Sequence, residues 1–77
     1  MIEKTIDEKA LKMLAEAGTL HELRAVRQGD DWSLQAQVGA DLLSVCSARE
    51  DVRLWRSLTA VERFCTKIGV KLLAVEL

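Results

Sequence analysis

Proline is missing from this 77-residue chain, glycine occurs four times and always singly, and one histidine and two cysteines are its only imidazole or thiol groups. Each shortage excludes something. Without proline, a low-complexity stretch or an internal repeat, nothing marks a linker, so the chain reads as one domain over residues 1–77. His21, Cys46 and Cys65 lie far apart and show none of the close-spaced pairs that hold zinc, which argues against a metal site. The same two cysteines are too few for a disulfide framework. Gly18, Gly29, Gly39 and Gly69 stand where single chain reversals or helix ends need them and make no phosphate-cradling loop.

Charge of one sign is also lacking. Eleven basic residues face twelve acidic ones, a formal net charge of −1, so no global field draws the chain to nucleic acid or to a membrane surface. No apolar run approaches the ~20 residues of a membrane span. Met1 leads into a charged, helix-favouring segment rather than a basic start and an apolar run, so no signal peptide is expected. With unpaired cysteines, this points to a cytoplasmic protein. A hydrophobic share of 49% allows a modest core, near the lower size limit for a chain with neither disulfide nor metal.

What is present is periodicity. Helix formers from Glu3 to Ala17, with acids in the first turn and Gly18 behind, predict a first helix whose face is Ile6, Ala10, Met13, Leu14 and Ala17, with Leu11 at its margin. From Leu20 the period shortens to two. His21 to Arg27 reads as a strand, Gly29-Asp30 as a turn, and Trp32-Ser33-Leu34-Gln35-Ala36-Gln37-Val38 as a strand with one apolar and one polar face. After a turn at Gly39-Ala40-Asp41, Leu42 to Ser47 predicts a third strand and Val52 to Arg56 a short fourth. Ser57 or Thr59 starts a second helix with Leu58, Val61, Phe64, Cys65 and Ile68 on its apolar face, and Gly69 ends it. Leu73, Val75 and Leu77 alternate along a closing strand, expected at an edge or beside the first strand. The fold class is α+β: a two-layer sandwich of an antiparallel sheet of four to five strands with two helices on one face, in the order α-β-β-β-(β)-α-β. A free sheet edge would suit dimerisation by strand addition.

Catalytic constellations are hard to assemble. A nucleophile needs a base in reach and the base an orienting group; His21 with Cys46 is the nearest pairing, and both read more simply as a strand histidine and a buried thiol. Asp30-Asp31 and Glu50-Asp51 sit in turns, where carboxylates hydrogen-bond local backbone. The chain is therefore expected not to be an enzyme and to need no cofactor. Binding is better represented. Between Arg49 and Lys71, the bases Arg49, Arg53, Arg56, Arg63, Lys67 and Lys71 outnumber the acids Glu50, Asp51 and Glu62. Arg53 shares a strand face with Trp55, Arg56 takes the other, and Arg63 and Lys67 form a ridge four residues apart on the second helix. Trp32 and Trp55 read as core anchors, with Trp55 the better candidate for an interface. The candidate surface is thus Arg49, Arg53, Trp55, Arg56, Arg63 and Lys67. The helix-three-strands-helix order is also that of double-stranded-RNA-binding domains, but their lysine-rich start of the second helix is replaced here by Leu58-Thr59-Ala60-Val61-Glu62.

From Trp32-Ser33-Leu34-Gln35-Ala36-Gln37, through Ser47-Ala48-Arg49-Glu50 and Val52-Arg53-Leu54-Trp55-Arg56-Ser57-Leu58, to Ile68-Gly69-Val70 and Ala74-Val75-Glu76-Leu77, the chain resembles small partition-associated proteins of the ParC type. Those are encoded beside ParA and ParB on bacterial plasmids and integrated mobile elements. The resemblance implies a non-enzymatic accessory role in maintaining mobile DNA, with no catalytic residues to carry over. The expected partner is a protein, either a partition protein or a second copy, with the chain a monomer or homodimer. Weak DNA binding through residues 49–71 is the alternative.

Overall fold

The computed structural model describes residues 4–20, 22–70 and 73–76. The elements run β1 (Thr5–Ile6), α1 (Glu8–Glu16), β2 (Glu22–Gln28), β3 (Asp31–Val38), β4 (Asp41–Val45), α2 (Leu58–Ile68) and β5 (Leu73–Glu76). The alternating segments form two hairpins of one design at the centre of the sheet. Gln28 pairs with Asp31 across Gly29-Asp30, and Val38 pairs with Asp41 across Gly39-Ala40. Gly29 (φ 64°) and Gly39 (φ 60°) each take the first loop position, and among the described residues no non-glycine has a positive φ. This glycine-first pattern matches the type II′ turns whose twist suits a hairpin. Each turn is braced alike: Arg27 Nε donates to the Gly29 carbonyl at 3.0 Å and Gln37 Nε2 to the Gly39 carbonyl at 2.7 Å.

The sheet has the order β1-β4-β3-β2-β5 and is mixed rather than antiparallel throughout. The hairpins supply the antiparallel ladders, while β1 runs parallel to β4 and β5 parallel to β2. The reason is connection length: the outer strands are joined to the rest across helices, and a helical crossover returns the chain in the same direction. The steps β1-α1-β2 and β4-α2-β5 each pass over two strands in the same sense. The right-handed preference of such crossovers then sets both helices on one face. Leu11 of α1 and Val61, Phe64, Cys65 and Ile68 of α2 accordingly share one core with Leu23, Ala25, Leu34, Ala36 and Val45. The predicted face of the first helix is thus corrected: Leu11, expected at its margin, is its fully buried residue, whereas Met13 is 62% exposed and Ala17 is exposed, because the helix starts only at Glu8 and turns Leu11 to the sheet. Leu23 lies opposite Ala36 and Ala25 opposite Leu34, a large-small alternation that keeps the layer beneath the helices even. Neither helix is long and apolar enough to cross a membrane.

Two predicted boundaries change, and one left open is settled. The first helix starts at Glu8, not Glu3, because Asp7 caps it: the Ala10 N–H donates to Asp7 Oδ1 at 2.8 Å, and Thr5–Ile6 ahead of the cap are extended as β1. Ser57, not Thr59, caps the second helix, accepting from the Ala60 N–H at 3.2 Å. Val52 to Arg56 is not a fourth strand of its own. The chain leaves β4 after Val45, makes an excursion over residues 46–52, and returns to the same side of β3. There Trp55 forms an antiparallel bridge with Trp32, with N–H···O distances of 2.7 and 2.8 Å. The Arg53 N–H takes the Val45 carbonyl at 2.9 Å where β4 breaks off. The closing strand takes the edge beside β2, as the sequence predicts.

Leu34 is fully buried on the central strand, whereas Leu42 is 50% exposed on β4. Leu34→Ala is expected to cost about 2–5 kcal/mol in urea denaturation, and Leu42→Ala to stay within about 0.5 kcal/mol.

Candidate functional site

The Trp32–Trp55 bridge fixes which side chains face the helices. Trp55 points inward, and Arg53, two residues earlier, lies on the same side. The Arg53 guanidinium sits over two rings, with Cζ 4.8 Å from the Trp55 centroid and 5.2 Å from that of Phe64. The rings themselves meet at 5.0 Å with a 57° tilt. Phe64 comes from α2, so the stack joins the sheet to that helix.

Around this stack lies a groove of about 380 Å³ lined by Arg53, Trp55, Ser57, Thr59, Ala60, Arg63, Phe64 and Lys67. Helical spacing explains the α2 contribution, since residues 60, 63, 64 and 67 follow one face. Glu8, in the first turn of α1, reaches across to it. Arg53 Nη1 donates to Glu8 Oε1 at 3.3 Å and Lys67 Nζ lies 3.0 Å from Glu8 Oε2. The Lys67 ammonium holds the Glu8 carboxyl below its ordinary value of 4.5, against partial desolvation and with help from Arg53. Three cations, Arg53, Arg63 and Lys67, therefore surround an aromatic floor with one carboxylate among them.

Of the six predicted surface residues, the structure brings four together: Arg53, Trp55, Arg63 and Lys67. Arg49 is exposed in the excursion, where its N–H donates to Ser47 Oγ at 3.4 Å, and Arg56 is exposed outside the groove lining. Trp55 is 7% exposed, so it serves as the floor of the groove and not as an open stacking platform. Trp32 is equally buried, with Arg27 Cζ 5.7 Å from its ring centroid. Glu8 is the member that sequence reasoning missed. It lies 45 positions from Arg53 in the chain, and no local pattern signals the contact.

His21 lies outside the described residues. Cys46 is half-buried, and its N–H donates to the Ile6 carbonyl at 2.9 Å. Burial pushes the Cys65 thiol up, with Glu62 adding to the effect, so Cys65 stays a protonated core side chain. Among the described residues no three His, Cys, Asp or Glu side chains cluster to hold a metal. The sheet face away from the helices carries a second depression of about 390 Å³ bounded by Gln28, Ser33, Gln35, Ser44, Val52 and Leu54, a neutral surface. Of the two depressions the first is the cationic one. No protein-family model matches the chain, and no curated protein is significantly similar to it.

Glu8 yields a signed pH dependence. Its carboxyl is depressed in the folded chain, so its stabilisation is full above about pH 4.5 and is lost as pH falls through the folded value. The side chain is partly exposed, which limits the effect to about 0.5–1 kcal/mol. Urea midpoints followed from about pH 7 to about pH 3 should show Glu8→Gln less stable than wild type at neutral pH and the two converging in acid.

Proposed function

We propose that this chain is a small non-enzymatic interaction module that receives an acidic segment of a partner protein in the Arg53–Arg63–Lys67 groove. The observation that carries the reading is the collection of three cations over a Trp55–Phe64 floor with Glu8 as the one carboxylate paired to them among the described residues. Such a site offers charge for a carboxylate and apolar surface for the side chain beside it. Among the described residues Arg63 forms no ion pair, which makes it the cation to take the first carboxylate. The resemblance of residues 32–77 to ParC-type proteins supports a place for the module beside partition machinery, with a partition protein as the partner.

Two features favour protein over DNA. Arg53 and Lys67 already share Glu8, which leaves Arg63 as the groove cation without an ion pair among the described residues, enough to meet one carboxylate and short of a run of phosphates. Arg49 and Arg56, which a duplex would need for an extended ridge of phosphate contacts, lie off the groove. Support for a non-enzymatic role comes from the raised Cys65 thiol and from a groove whose neighbouring carboxylate, Glu8, is already held by Lys67 and Arg53.

An NMR titration with a Glu-rich peptide, and separately with a mixed-sequence DNA duplex, tests the reading. The peptide should shift amides from Ser57 to Lys67, and Arg63→Glu with Lys67→Glu should weaken its binding by about tenfold or more. Shifts with DNA alone, fading as salt rises, would transfer the groove to nucleic acid.

A further inference from the structure

The two edges of the sheet are treated differently. β1 is two residues long, and the Lys4–Asp41 ion pair at 3.0 Å ties the chain just before it to β4, so it offers little to a further strand. β5 is a four-residue edge with no proline, lysine or bulge between Leu73 and Glu76. Edges left in that state pair with another chain unless something guards them. Val75, at the level of buried Ala25 on the helix-facing side, is 47% exposed. Beside it the helix-facing side opens into a notch of about 430 Å³ lined by Glu62, Cys65, Thr66, Gly69, Val70 and Leu73.

From this edge we infer that the chain forms a two-fold dimer by antiparallel pairing of β5 with β5 of a second copy, with Val75 on the dyad. Two constraints select the register. Opposed residues of an antiparallel pair share a sheet face, so placing Val75 opposite Val75 keeps the helices of both copies on one side of a continuous sheet. The same register sets Ala74 opposite Glu76 of the second copy on the other face. Ala74 is also level with Arg24 of β2. Arg24 is held only loosely within its own chain, 3.9 Å from Glu22 and 3.7 Å from Glu76, with a 40% exposed side chain. Ala74 is small enough for the arginine to lie across it towards the incoming carboxylate. The symmetry repeats the contact, giving two Arg24–Glu76 pairs between copies. This self-complementary charge pattern selects a second copy over an unrelated strand. The basic groove lies elsewhere, so the dimer does not depend on how that groove is used.

The test is complementation between two charge reversals, read by sedimentation equilibrium across a dilution series from about 1 mM to about 1 μM. Wild type should dimerise. Arg24→Glu and Glu76→Arg should each weaken self-association by about tenfold, because every homodimer then opposes like charges twice. Mixed in equal amounts, the two variants should form a heterodimer, since both contacts between copies become opposite in sign while the pairs within each chain stay broken. Val75→Lys should leave the circular dichroism of the monomer unchanged and abolish the dimer. A monomeric wild type, a dimer indifferent to Val75→Lys, or a mixture that associates no better than its components would overturn the inference.

Discussion

The hydrogen-bonded bridge between Trp32 and Trp55 is the constraint on which the rest of the structure depends. β4 stops pairing with β3 at the level of Ser44, and without the bridge the edge of β3 beyond it would be unmatched. Trp55 fills that place after a seven-residue excursion, residues 46–52, and delivers the chain to the Ser57 cap of α2. Bringing these ends together costs loop-closure entropy, offset by two backbone hydrogen bonds and the burial of two indoles. The same placement puts Arg53 over Trp55 and Phe64, so the groove follows from how the sheet is completed.

A second consequence concerns the division of the surface. Because both crossovers run in the same sense, both helices cover one face and the other stays polar, with Ser33, Gln35 and Gln37 along the central strand. The cationic groove lies where α2 meets the end of the sheet beside α1. The unguarded strand β5 lies at the opposite edge from β1. The small chain thus presents two separate surfaces of different chemistry, one charged over aromatic rings and one of backbone with an exposed valine.

The α+β class, both central hairpins, α2 and the closing strand at an edge were legible because each rests on local physics: period-two alternation, paired turn glycines, a Ser57 cap and a Gly69 stop. Asp7 shows where locality ran out. Its neighbours are helix formers, but a side-chain cap outweighed propensity and left Thr5–Ile6 free to extend along β4. The parallel direction of β1 and β5 was illegible because it depends on where the helices cross, which no window of sequence encodes. Val52–Leu54 carries strand propensity, yet Trp32 offered one position for pairing and the chain then turned into α2. In the groove, Arg63 and Lys67 followed from helical spacing and Arg53 from strand parity. Glu8 came from the far end of the chain, brought there by packing of α1 against α2.

Amide hydrogen exchange tests the central role of the bridge most directly. If Trp32 and Trp55 close the sheet, the Trp55 N–H should exchange as slowly as those of Leu34 and Ala36, through global unfolding, while Ala48 and Arg49 in the excursion exchange far faster. A Trp55 amide that exchanges with the excursion would show the bridge opening independently of the core, and the sheet and groove would then need another explanation.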